Sequence, residues 1–312
     1  MAGVPGTSAP AGALQGYREC DGDARHGAGP ARVLRYAAAM SLLRRLPVVG
    51  PRIRRLRPDR VAVVRLFGPI GGGARTADWI ELVRRLRESK LVPAVVLDID
   101  SPGGSATASD DIFLALERLA AAKPLVAAVR GVGASGAYLA ALAAPTIVAQ
   151  PNAVLGSIGV ISASPRLPRL LDRLGVSVTE TRAGRLKGAG APWRQDSEEE
   201  LAKEQAIVDA FYDAFVGRVA AHRRMSPERA RGLATGEVWL GHDARVLGLV
   251  DEIGDLERAV EIAARAAGIP ARSAVAHLRR PLLERLAGRF GTTLAAAVTD
   301  EVERRLATRL RA

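Results

Sequence analysis

Between positions 61 and 225 the chain alternates two hydrophobic patterns. Short runs rich in β-branched residues are followed by segments whose apolar residues recur every three to four positions. The run at 61–67 (VAVVRLF) ends at Gly68-Pro69 and predicts a strand. Over 78–90, Trp79, Leu82, Val83 and Leu86 share one helical face. The run at 92–99 is continuously apolar, as in a strand buried on both faces. A helix is predicted over 105–122, opened by Ser105, and a strand over 125–129. The small apolar stretch 135–144 predicts a helix enclosed on every side. Further strands are predicted at 147–149, 158–161 and 176–181, and a helix at 165–174. The long segment 197–224 starts with acids and ends with Arg, the order that the helix dipole favours. Such alternation with short connections predicts an α/β fold around a mainly parallel sheet.

Both ends depart from this pattern. The first thirty residues are rich in Gly, Ala and Pro and lack periodicity, so 1–60 is expected to be a disordered basic tail and linker. The most apolar stretch there, 36–43, is too short to span a bilayer and is cut off by Arg44 and Arg45. No transmembrane helix or secretory signal is therefore expected, and the chain is placed in the cytoplasm or at the periphery of the inner membrane. At the other end, Leu294, Val298, Val302, Leu306 and Leu310 form one stripe, giving 271–312 as a basic helical extension. The globular domain is then 61–270.

Composition sharpens this division. With 312 residues, 48% hydrophobic and 25% charged, the chain can bury a sizeable core. The formal charge of +12 is confined to the ends. Residues 1–60 carry 11 Arg against 4 acids and 271–312 carry 9 against 4, whereas 61–270 is balanced at 25 of each sign. Basic ends favour peripheral contact with anionic membrane. Aromatics are only 4%, which makes nucleic-acid stacking an unlikely role. The single cysteine, Cys20, excludes a disulfide framework and a cysteine-based zinc cluster.

Four short segments carry candidate chemistry. Asp100-Ser101-Pro102-Gly103-Gly104 follows a buried strand, and its glycines let backbone N–H groups face a developing negative charge. In Gly133-Ala134-Ser135-Gly136-Ala137, Ser135 sits where a loop becomes an apolar helix, as a nucleophile or as an ordinary helix cap. Gly156-Ser157-Ile158-Gly159 is compatible with close approach by a ligand or with a plain bulge. The fourth is 184–192 (GRLKGAGAP). Only four of the 45 basic residues are Lys, and Lys187 alone lies in a Gly-rich loop rather than at a helix end or on an exposed helix. A desolvated Lys can act as a base where Arg cannot. Of the four histidines, only His242, beside Asp243, competes, and it is expected at the surface near a helix start. A Ser–Lys dyad fits this inventory better than a Ser-His-Asp triad.

Read in order, DSPGG at 100–104, GASGAYLA at 133–140, GSIGV at 156–160, GRLKGAGAP at 184–192 and GEVWLGHDARVLGLVDEIG at 236–254 resemble the signal peptide peptidase A (SppA, protease IV) family of Ser–Lys peptidases, single-module type. The resemblance covers about 61–268. It implies a Clp/crotonase-like fold of stacked strand–strand–helix units with long C-terminal helices. It implies Ser135 as nucleophile, Lys187 as general base, Ser157 positioning that Lys, and the Gly104 and Gly136 N–H groups as the oxyanion hole. It further implies cleavage of apolar peptides such as remnant signal peptides, no metal or cofactor, and a homo-oligomeric ring whose subunits share each active site. Ala137, Leu139 and His242 depart from the family's usual residues, and the usual N-terminal membrane helix is not expected in this chain. Two other readings of the same features are a crotonase-like acyl-CoA enzyme and a non-catalytic scaffold binding membrane or nucleic acid through the basic ends.

Overall fold

The computed structural model describes residues 52–53 and 58–279. The first parallel strands are β2 (Val61–Phe67), β3 (Val95–Ser101) and β4 (Leu125–Ala134). Helices α1 (Ala74–Glu88) and α2 (Ala106–Ala120) make the crossovers between them. After β4 the chain turns directly into α3 (Gly136–Leu142), then β5 (Thr146–Ala149) and β6 (Val154–Gly156). Beside β3 on one edge, the strand β4 serves two neighbours on the other. Residues 126–129 pair with β5 and residues 132–134 pair with β6, both in parallel. One strand thus hands the sheet from one layer to the next, which is the stacked strand–strand–helix progression of a Clp/crotonase-like fold.

The chain then leaves the sheet for an arm, 159–197, whose regular element is the short α4 (Pro168–Arg173). It returns through α5 (Glu198–Arg223) and α6 (Pro227–Leu233). Next come β7 (Val238–Leu240), antiparallel to β6, and α7 (Gly241–Val246). Then follow β8 (Glu252–Ile253), α8 (Leu256–Ala267) and β9 (Ser273–Val275). β8 pairs with β5 and β9 with β2, so the sheet continues past position 270. β1 (Arg52–Ile53) and β10 (Leu278–Arg279) form a separate antiparallel pair.

The strands read as unbroken apolar runs because both sheet faces are covered. One face carries Ala62, Val64, Val95, Leu97, Ile99 and Ala127, and packs with Leu86, Phe113, Leu116 and Val219 from the helices. The other carries Val61, Val63, Val96, Val126 and Val148 and is covered by Ala259, Val260, Ala263 and Ala264 of α8. Burying a Leu such as Leu97 completely contributes roughly 1.5–3 kcal/mol, so these runs set the register. The helix starts also follow from sequence. Ser105 caps α2 by accepting from the Ala108 N–H. Ser197 and Glu200 form a reciprocal capping box at the start of α5.

Two expected strands are not present. Residues 158–161 and 176–181 are irregular, although both alternate like strands. Val176 and Val178 are exposed, and no strand among the described residues lies beside them to complete a ladder. Conversely, β4 runs five residues beyond its expected end, through Gly131 and Gly133. Those glycines fit because Asp100 and Val129 crowd the places where a Cβ would sit. The tail at 1–51, the stretch 36–43 and the C-terminal stripe lie outside the described residues. Among the described residues, no helix is long and apolar enough to cross a membrane.

Candidate active site

Ser135 sits at the junction between β4 and α3 with φ 52° and ψ −123°. Non-glycine residues rarely adopt such a conformation, and holding one there requires that the surroundings fix it. Several contacts do. The Ser135 N–H donates to the Gly156 carbonyl at 2.8 Å, and its own carbonyl accepts from Leu139 at 3.0 Å. α3 is buried throughout, anchored by Tyr138, whose hydroxyl donates to the Leu249 carbonyl at 2.8 Å. Burial pushes the Tyr138 phenol well above its ordinary range, so it stays a neutral donor. Ser135 itself is only half-buried, so an immobile backbone presents an accessible hydroxyl.

The glycines around it are set by close approach. A Cβ on Gly103 would lie 2.7 Å from the Gly136 nitrogen and 2.9 Å from the Ser135 Cβ. A Cβ on Gly136 would overlap the Ser109 Oγ, which donates to the Ser105 carbonyl at 2.8 Å. The Gly104 backbone is held against Ile70. The Ile70 N–H donates to the Gly103 carbonyl at 2.7 Å, and the Ser105 N–H donates to the Ile70 carbonyl at 2.8 Å. In a parallel ladder those two bonds turn the intervening Gly104 N–H away from Ile70. The Gly136 N–H, first in its helix, has no carbonyl one turn earlier to receive it. The two donors are neighbours, since the Gly136 Cβ position lies 3.7 Å from the Gly104 nitrogen.

Ser157, on the next strand end, also has a positive φ, 48°. Its N–H donates to the Glu237 carbonyl at 2.6 Å. Of the three non-glycine residues with positive φ among those described, two are therefore Ser135 and Ser157. Both line one cleft of about 700 Å³, together with Gly104 and Gly136. Its apolar wall comes from Leu139 of α3, Val160 and Ile161 of the arm, and Phe211, Tyr212 and Phe215 of α5. The Arg218–Asp110 ion pair also lines it, with Arg218 4.4 Å from the centre of the Phe113 ring. The residues of α5 were not singled out from sequence, because its polar surface masks the aromatic pair at 211–212.

Lys187 is elsewhere. It is exposed on the arm and does not line the cleft that holds Ser135 and Ser157. The four other expected site residues are thus brought together within one chain, and Lys187 is not. The loop around it is nonetheless ordered by charge. Arg182 donates to the Lys187 carbonyl at 3.3 Å, and Arg194 donates to the Gly188 carbonyl at 2.9 Å. Arg194 is held in turn by Glu200 through contacts of 2.8 and 2.5 Å. The Arg194 guanidinium, followed by the Ser197 N–H, holds the Glu200 carboxyl down at about 2. His242 is exposed at the start of α7, as expected from sequence. Among the described residues no cluster of His, Cys, Asp and Glu could hold a metal ion.

Comparison with known proteins adds an independent line. Residues 117–270 match the model of peptidase family S49. The chain is 35% identical over 232 residues to a putative protease, slr0021, of Synechocystis sp., covering 73% of this chain and 83% of that one. It is 36% identical over 238 residues to the chloroplastic serine protease SPPA of Arabidopsis thaliana, covering 72% of this chain. The matched region spans only 35% of the length of that larger relative. Among solved structures, a membrane-bound stomatin-specific protease is 15% identical, with a TM-score of 0.44 over 72% of this chain and 99% of that one.

Proposed function

Given that the chain belongs to peptidase family S49, we propose that it is a serine endopeptidase with a Ser–Lys dyad that cleaves apolar peptides, such as remnant signal peptides. The observation that carries this reading is the strained, half-buried Ser135 at a strand-to-helix turn, beside two outward-facing N–H groups and an apolar cleft. The Ser135 Oγ attacks the scissile carbonyl carbon and passes its proton to the Lys187 Nζ. The oxyanion is received by the Gly104 and Gly136 N–H groups. The tetrahedral species collapses, the peptide C–N bond breaks, and the leaving amine takes the proton back from Lys187. Water then attacks the acyl-enzyme with Lys187 again as the base, releasing the acid and restoring Ser135. Ser157 orients the Lys187 amine.

The exposed position of Lys187 supports a base supplied across a subunit contact. The arm that bears it displays Ile161 at 91% and Leu174 at 66% exposure, with Leu167, Leu170, Val176 and Val178 also uncovered. A patch of that kind favours burial against another copy. The assembly is therefore a homo-oligomeric ring in which each Ser135 is served by a neighbour's arm. The basic ends support a peripheral membrane location. The dyad needs no cofactor. The domain expected at 61–270 extends through β9, which pairs with β2, so the start of the expected helical extension at 271–312 is strand that belongs to the sheet.

The test is cleavage of a fluorogenic apolar peptide by the assembled full chain and by Ser135→Ala. Loss of cleavage, together with loss of fluorophosphonate labelling at position 135, is expected. Undiminished cleavage by the variant would remove Ser135 from the reaction.

A further inference from the structure

Sequence and fold assign no role to the charged cluster at the base of the arm. It contains Glu180, Arg182, Arg194, Asp196 and Glu200, with Arg166 at its edge. Two of its carboxylates, Asp196 and Glu200, are nearly inaccessible to solvent, which is unusual on a segment otherwise so exposed. Glu200 is only 5% exposed, although it belongs to the first turn of a helix whose other acids face water.

The connections converge on two consecutive peptides. Arg182 donates to the Lys187 carbonyl at 3.3 Å and lies 3.4 Å from Glu180 and 3.7 Å from Glu200. Arg194 donates to the next carbonyl, that of Gly188, at 2.9 Å and grips Glu200 with both terminal nitrogens. Glu180 is fixed from the other side by the Trp193 indole at 2.9 Å. The Gly190 N–H donates to Asp196 at 3.0 Å, and Asp196 is paired with Arg166. Gly184, Gly188 and Gly190 all have positive φ, so the loop has backbone freedom that it must lose to present one conformation. Consecutive carbonyls tied to two arginines, both braced by Glu200, remove that freedom around the Lys187 Cα.

The geometry points to Arg182, Arg194 and Glu200 as positioning residues that lock the two peptides that follow Lys187, so that the Lys187 amine is delivered to a nucleophile in one orientation. This assignment rests on the Ser–Lys reading above. It extends that reading from the base itself to the scaffold that aims it. A base displaced by about 1 Å is enough to cost about 10²-fold in rate.

Two measurements on the assembled full chain test it. The first is kcat and KM on the apolar peptide for Glu200→Gln, Arg194→Met and Arg182→Met, with Glu198→Gln, an exposed acid that does not touch the loop, as the control on the same helical turn. The second is cleavage of the 187–188 bond by a lysine-specific endoprotease, which reads loop order without reference to activity. The three positioning variants are expected to lose about 10²-fold in kcat at nearly constant KM. They are also expected to be cut at 187 at least about tenfold faster, while Glu198→Gln matches the parent in both assays. Because Glu200 also caps α5, Arg194→Met and Arg182→Met carry the test if Glu200→Gln fails to fold. Unchanged kcat in folded, assembled Arg194→Met and Arg182→Met, with Lys187→Ala inactive, overturns the positioning role and leaves the dyad intact. An active Lys187→Ala overturns the dyad and the positioning role together, even if the variants are cut faster. A uniform fall in ring assembly, with kcat per assembled particle preserved, also overturns it.

Discussion

The half of the molecule that holds Ser135 and the arm that holds Lys187 are built on different physics. Around Ser135, order comes from burial: β4 and α3 are sealed between apolar layers, and glycines are crowded until only one backbone path remains. Around Lys187 there is little apolar burial, and order comes from ion pairs and charge-assisted hydrogen bonds on an exposed segment. A turn anchored between buried elements tolerates little displacement. An exposed charged arm can be ordered and still be free to dock. The contrast suits a site assembled from a fixed part and a delivered part.

The sharpest way to break this contrast is Lys187→Arg, which preserves charge and removes the base. A loss of about 10²–10⁴-fold in kcat is expected at neutral pH. Retention of the parent rate would take the arm out of the chemistry. Next is Gly136→Ala on the fixed side, where the added methyl runs into the Ser109 hydroxyl. Displacing the Gly136 N–H in this way is expected to lower kcat by about 10²–10³-fold while the sedimentation coefficient stays that of the parent. A normal rate would mean that this N–H does not hold the oxyanion.

On the arm, Leu174→Asp places a charge on one of the uncovered apolar side chains and is expected to convert the proposed ring to smaller species in sedimentation velocity. An unchanged mass would move the subunit contact elsewhere. The smallest effect is expected from acid. Glu200 is faced by Arg194, Arg182 and Ser197, with Glu180 and Asp196 also in the cluster, and its carboxyl is held down at about 2. A depressed carboxyl contributes stability that is complete above the unfolded value near 4.5 and is lost as pH falls toward 2. Lysine-specific nicking is too slow in acid to follow this, so amide exchange at 184–190 is the readout. Protection is expected to be flat from neutral pH to about 5 after correction for intrinsic rates and to fall below that. Flat protection down to pH 2 would remove Glu200 from the clamp.

The same contrast explains what could be read from sequence. Elements buried on both faces were legible, because hydrophobic runs such as those of β2 and β3 carry their own period and their own boundaries. The Gly-rich end of β4 was not, since Gly131 and Gly133 look like loop residues until Asp100 and Val129 are placed against them. The runs at 158–161 and 176–181 have strand-like alternation, but a strand needs a partner, and among the described residues neither has one. Ser135, Ser157 and the glycines could be picked out by their small neighbours, and Lys187 by the scarcity of lysine. The Arg182–Arg194–Glu200 cluster could not. Helix starts attract acids for dipole reasons alone, and nothing in the run of three glutamates marks the one that turns inward.

The placement of Lys187 outside the cleft of its own Ser135 has a physiological consequence when the base comes from a neighbour's arm. On that reading a solitary copy would hold an incomplete site. Newly made chains, dilute and unassembled, would then carry a hydroxyl with no proton acceptor. Specific activity would then rise with protein concentration until assembly saturates, and the abundance of the chain itself would be the switch.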